Sequence, residues 1–183
     1  MSNGTKIDIY PWGREQIIWG YASDHKYTFK ILEPKPGREG CLSLQYHNEK
    51  SESWLVLRGT AWALVVIDNL VCSKLLNAGQ VLNLPCGIIH RLMGVSPDVQ
   101  VAEPSTPDRH AADATVVKDV VRLACVHGRE CARTRSADEQ QLVEECVRVT
   151  DDAIECIQSN RSPPQIHAEL FSRLGFRDLN RKS

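Results

Sequence analysis

Between residues 27 and 101 the chain alternates apolar and polar positions in short runs that turn-forming residues interrupt. Tyr27 to Glu33 alternates as a strand does, and Pro34 with Pro36-Gly37 breaks it into a turn. Ala61 to Ile67, then Asp68-Asn69, then Leu70 to Leu76 predicts a hairpin. Gly79, Pro85-Cys86-Gly87 and Ser96-Pro97-Asp98 separate the remaining runs. About eight strands with no helical period between them predict an all-β barrel or sandwich. Residues 8–26 read as an arm or edge strand whose apolar part is Ile17-Ile18-Trp19.

After Pro104 the pattern changes. Ser105 to Ala114 is rich in Pro, Asp, Ser and Ala and reads as a loop. Ser136 with Glu139 forms a capping box, and Leu142, Cys146, Val149, Ala153 and Cys156 follow at helical spacing. Ser162-Pro163-Pro164 predicts the start of a second helix with Ile166, Leu170, Phe171 and Leu174 on one face and Gly175 ending it. The two apolar stripes must be buried, either on the outside of the barrel or on a second subunit as a homodimer. The expected division is a barrel over residues 1–129 and an α-helical extension over 130–183.

Composition narrows the classes. Of 183 residues, 42% are hydrophobic and 25% charged, which fits an ordinary folded chain. A net charge of -1 argues against nucleic-acid or membrane-surface binding through bulk electrostatics. No apolar run is long enough to span a bilayer, and Met1 to Asp8 lacks the apolar core of a signal peptide. Seven cysteines without Cys-x-x-Cys spacing point to reduced thiols and a cytoplasmic protein. Cys86 stands inside the Pro85–Gly87 turn, where a small residue in a tight turn is the favoured reading over a reactive thiol.

The candidate chemistry lies in two segments. Gln45 and His47 are two apart and share one face of a strand, while Glu52 follows a polar turn and opens the run Trp54-Leu55-Val56-Leu57. His90 begins another strand after Pro85-Cys86-Gly87. Converging in one barrel, these four would offer an amide oxygen, two imidazole nitrogens and a carboxylate. Such a mixed set suits one divalent metal ion, zinc first, with iron, manganese, cobalt or nickel as alternatives. Glu49, two residues past His47, is a rival ligand if the strand continues, and otherwise a nearby base.

The spacing resembles the cupin superfamily. Gly40, Gln45-Tyr46-His47, four residues, Glu52, six residues and Gly59 match its first signature, and Gly79, Pro85-Cys86-Gly87 and His90 match its second. Two positions depart: Gln45 replaces the first histidine, and Gly94 stands where Asn is usual. Gln-x-His is similar to the metal-dependent mannose-6-phosphate isomerases. Pro11-Trp12-Gly13 (after Tyr10 in place of Arg), Lys35-Pro36-Gly37, Leu42-Ser43-Leu44-Gln45, Ser105-Thr106-Pro107, Asp119-Val120-Val121-Arg122-Leu123 and His127-Gly128-Arg129 resemble blocks of their bacterial type II domains. The resemblance covers roughly residues 8–129.

It implies a jelly-roll, or double-stranded β-helix, with Gln45, His47, Glu52 and His90 as metal ligands. It also implies an aldose–ketose isomerase acting through an enediol on a phosphorylated sugar, with the metal polarising the oxygens and a side chain moving the proton. Glu49 is the candidate proton shuttle and Arg122 a further catalytic and phosphate-pairing residue. Lys30 and Lys35 read as solvated charges, and Arg91, directly after His90, should face away from the pocket. Two other classes fit the same ligands: an Fe(II)-dependent dioxygenase acting on a small molecule, and a non-catalytic sugar-binding module.

Overall fold

In the computed structural model, residues 6–19, 26–107, 115–133, 136–174 and 177–178 are described. Two antiparallel sheets face each other. The first is seven-stranded, in the order β1 (Lys6–Tyr10), β2 (Gly13–Trp19), β3 (Thr28–Pro34), β10 (Gln100–Ser105), β5 (Glu52–Arg58), β8 (Gln80–Leu84) and β12 (Arg177–Asp178). The second is five-stranded, in the order β11 (Val120–Ala124), β4 (Leu44–His47), β9 (His90–Gly94), β6 (Thr60–Ile67) and β7 (Leu70–Asn77). From β3 onward the chain passes from one sheet to the other at every step except β6 to β7, so residues far apart in sequence become neighbours in a row.

The alternation of apolar and polar residues explains both layers. Inward side chains of the two sheets, among them Trp12, Leu32, Trp54, Val56, Ala63, Val65, Leu82 and Leu92, form one core. The outward face of the five-stranded sheet is apolar too, with Leu44, Trp62, Leu64 and Met93, and α1 (Ala137–Gln158) covers it. Ser136 Oγ accepts the Glu139 N–H at 3.1 Å, as the capping box requires. The buried stripe of α1 is Val143, Cys146, Val149, Thr150, Ala153 and Ile154, while Leu142 and Cys156 are only half-buried. No helix among the described residues is long and apolar enough to cross a membrane.

Two expectations change and one holds. Pro11-Trp12 is a turn, so the expected arm is a hairpin of β1 and β2. The Asp68-Asn69 hairpin forms as read, with φ of 52° and 60° at the two turn residues. The second helix does not form from Ser162. Ile166 instead exchanges backbone hydrogen bonds with Ser73 of β7, at 2.9 and 3.0 Å, and only a short 3-10 helix, Ala168–Leu174, follows. The open edge of β7 supplies donors and acceptors that a Pro-led helix start would have to forgo. The expected Gly175 stop and most of the 105–114 loop lie outside the described residues.

Gly94 has a steric reason. A Cβ there would come within 2.3 Å of the Lys35 carbonyl oxygen, so the side chain usual at this place in the signature has no room. All seven cysteines are free thiols. Cys86 is exposed, and its backbone N–H is bound by Ser51 Oγ at 3.1 Å.

Candidate metal centre and its cavity

Three strands assemble the donors. On the five-stranded sheet, Arg122, Gln45 and His90 lie opposite one another on β11, β4 and β9, with His47 two residues along β4. Glu52 arrives from the other sheet at the start of β5. His47, Glu52 and His90 are all buried and offer ligand atoms within 4.8 Å of one another. Glu52 Oε1 lies 3.3 Å from His90 Nε2, and Oε2 lies 3.7 Å from His47 Nε2.

The histidines present the nitrogens a metal needs. His90 Nδ1 sits 2.9 Å from the Ile88 carbonyl oxygen, an acceptor only, so Nδ1 carries the proton and the Nε2 lone pair faces Glu52. That Nε2 is buried and has no hydrogen-bond partner. Trp54 meets the His90 ring edge-on at 5.4 Å and limits its rotation. Burial, reinforced by the Lys50 charge, pushes His47 down to about 4. Burial likewise lowers His90. Burial alone would raise the Glu52 carboxyl, but Lys50, His90 and His47 outweigh it and hold the group at about 2. Neutral imidazoles facing an ionised carboxylate form a donor set fit for a divalent cation.

Gln45 joins this set. Its Nε2 is 3.5 Å from His47 Nε2, and its Oε1 accepts from Ser43 Oγ at 2.8 Å. A half-turn of the amide would exchange the two ends and offer the oxygen on the histidine side.

The cluster opens into a cavity of about 420 Å³ whose wall includes Tyr10, Trp12, Gln45, His47, Glu52, Glu103, Arg122 and Arg129. Tyr10 and Trp12 stack at 5.2 Å between ring centroids. Along the seven-stranded sheet runs a buried series of alternating charges. Lys50 Nζ lies 2.6 Å from Glu52 Oε2 and 3.3 Å from Glu103 Oε1. Glu103 stands opposite Lys30 across β10 and β3, and Lys30 Nζ is 3.4 Å from Glu15. Burial, and next the Glu52 charge, push the Glu103 carboxyl up.

The end of the cavity beside Gln45 is cationic, with Arg122 opposite Gln45 across β11 and β4. Arg122 Nε is buried and has no hydrogen-bond partner, and burial followed by the neighbouring Arg129 lowers its pKa. Arg129 donates to Ser43 Oγ at 3.1 Å, which links this end through Ser43 to Gln45.

Two sequence expectations are corrected here. Glu49 is exposed and does not line the cavity, because β4 stops at His47. Asp119 binds the N–H groups of Glu49 and Lys50, both at 2.9 Å, and turns the chain there. Lys30 is not a solvated charge: strand alternation turns it inward. Lys35 is exposed and pairs with Glu39 at 3.2 Å. Arg91 points away from the cavity and is buried under α1, donating to Thr150 Oγ1 at 3.0 Å and to the Ala124 carbonyl at 2.9 Å. Lys50 and Glu103 were given no role from the sequence, and Asp119 was read only as the start of a family-like block. A lysine two residues before the ligand carboxylate was the one local signal.

A barrel of two facing antiparallel sheets with a His/Glu/His cluster inside it is a cupin. Residues 3–99 match the family described as mannose-6-phosphate isomerase C-terminal, and the chain belongs to that family. Among curated relatives, the mannose-1-phosphate guanylyltransferase of Escherichia coli (strain K12) is 38% identical over 86 residues, covering 46% of this chain and 16% of that protein. The alginate biosynthesis protein AlgA of Pseudomonas syringae pv. tomato is 34% identical over 87 residues, covering 47% of this chain and again 16% of that protein. The match thus spans about a sixth of these relatives. A crystal structure of the capsular polysaccharide assembling protein CapF from Staphylococcus aureus overlaps with a TM-score of 0.52 at 16% identity, covering 68% of this chain and 33% of that one. It shares the fold.

Proposed function

We propose that the chain holds one divalent metal ion, zinc first, at Gln45, His47, Glu52 and His90, and interconverts an aldose phosphate and a ketose phosphate of the mannose 6-phosphate kind. The observation that carries this is a single cavity lined both by Gln45, His47 and Glu52 of the candidate ligand set and by the arginine pair Arg122 and Arg129. The family's description and the mannose phosphate in its relatives' names support the substrate class. In this reading residues 1–129 are the binding unit and 130–183 its cover.

A bound metal would supply Lewis acidity to the carbonyl and hydroxyl oxygens of the open-chain sugar. Arg122 and Arg129 pair with the phosphate, which a buried site can hold only against cations. The stacked Tyr10 and Trp12 present an apolar face to the carbon chain. Proton transfer between adjacent carbons, through the enediol, needs a carboxylate poised between its two states. Glu103 takes this role in place of the exposed Glu49: it lines the cavity, its carboxyl is raised by burial, and Lys50 joins it to Glu52.

The test is to load the protein with zinc, cobalt or manganese and add mannose 6-phosphate in heavy water. Ketose formation with deuterium entering at the exchanged carbon, abolished in His47→Ala and reduced at least ~100-fold in Glu103→Gln with metal content unchanged, supports the reading. Loaded protein without interconversion overturns the isomerase. A non-catalytic sugar-binding module is then favoured by the Lys50 ammonium, which already sits 2.6 Å from the Glu52 carboxylate as its cation.

A further inference from the structure

Asp119 lies beyond residues 3–99 that match the family model, and it opens the block Asp119–Leu123 that leads into β11. It nevertheless reaches the ligand set. Its Oδ1 accepts the Glu49 N–H and its Oδ2 the Lys50 N–H, both at 2.9 Å, and its backbone carbonyl accepts Asn48 Nδ2 at 3.2 Å. The same Oδ2 lies 3.4 Å from His47 Nδ1. That nitrogen is buried and has no hydrogen-bond partner, so this carboxylate is the acceptor within reach of its proton.

We propose that Asp119 is the positioning residue of the metal centre: its carboxylate keeps the His47 proton on Nδ1 and holds the β4–β5 turn, so that Nε2 faces Glu52 as a free donor. The chemistry is asymmetric. A carboxylate only accepts, so it selects the tautomer with the proton on Nδ1. Without that acceptor nothing on this side distinguishes the two tautomers, and a proton on Nε2 would block the donor. Asp119 therefore does for His47 what the Ile88 carbonyl does for His90. The two ligands on one sheet are oriented by unrelated groups, one two residues away and one across a long span of chain.

The inference rests on the metal reading, but its first measurement does not. Imidazole ¹⁵N–¹H correlation spectra of the metal-free protein near neutral pH should show His47 as the Nδ1–H tautomer. Wild-type His47 with its proton on Nε2 overturns the proposal, whatever the variants do. Asp119→Ala removes the acceptor, should let the proton pass to Nε2, and should weaken zinc binding, measured by chelator competition, about 10- to 100-fold. Asn48→Ala removes a hydrogen bond of the same turn without touching the carboxylate, and should leave the tautomer unchanged and zinc affinity within about two-fold. An equal loss of affinity in Asn48→Ala and Asp119→Ala shows that the turn alone matters, and overturns it. A wild type that binds no zinc defeats the metal reading, while the tautomer of His47 still decides the role of Asp119.

Discussion

His90 and Arg91 are consecutive on β9, both buried, and they open onto regions built on different rules. His90 looks into the barrel, where every acid described above has a basic group within 4 Å and the series ends in a cavity. Arg91 looks out under α1, where its two recorded hydrogen bonds go to a hydroxyl and a carbonyl, both uncharged, and apolar side chains surround it. Opposite charges held beside open space can change partners when a ligand enters. A cation fastened between two strands and a helix has nothing to exchange with. Burial of charge therefore marks a site only where the charges face a cavity, and Arg91 is better read as a fastening.

The sharpest way to break this comparison is to remove one neighbour at a time. His90→Ala should lower metal affinity by more than about 100-fold while the metal-free chain keeps its fold, read by chelator competition and circular dichroism. Arg91→Ala should do the reverse. It leaves Thr150 and the Ala124 carbonyl without their donor and a gap under the helix, at a cost of about 2–4 kcal/mol, or roughly 5–15 °C in melting temperature. Metal affinity should stay within about three-fold. A large loss of metal in Arg91→Ala would dissolve the distinction.

Acid sharpens it next. His47 is pushed from 6.5 to about 4 in the folded chain, so between those values the unfolded chain binds a proton that the folded one refuses. Stability should therefore rise with pH across this window and be lost as pH falls through it, by on the order of 1–3 kcal/mol. The raised Glu103 carboxyl works in the opposite sense from its ordinary value of 4.5 upward, and flattens the curve there. Denaturant titrations of the metal-free protein at several pH values, beside His47→Gln, check the slope, which the substitution should reduce. The smallest effect is expected farthest from the cavity. Ser136→Ala should cost about 1 kcal/mol through the lost cap of α1, without changing metal binding.

The parts of this molecule that could be read from the chain are those governed by short spacing. Gln45 and His47 share a strand face, Glu52 follows one turn, and Pro85-Cys86-Gly87 places His90 at a strand start, so local rules put each candidate on its strand, and the facing of the two sheets brings Glu52 to the histidines. The Asp68-Asn69 hairpin and the Ser136 cap follow from local rules as well. Glu103 and Lys30 became visible only through the register of β10 against β3, which no spacing along the chain encodes. Glu49 was misplaced because the strand ends where Asp119 binds its backbone, a contact 70 residues away in sequence. The second helix gave way for the same kind of reason, since Ile166 found an open strand edge at Ser73.

The position of Asp119 also bears on the order in which the site is made. On a growing chain every candidate ligand has emerged by residue 90, yet the carboxylate beside His47 comes at 119, the carbonyl under Arg91 at 124 and the hydroxyl above it at 150. A cation meeting the half-made chain would find the right atoms, loosely held and free to bind in wrong combinations. Selectivity for one metal over its competitors would then be acquired late, when the last strand and the helix close over the barrel.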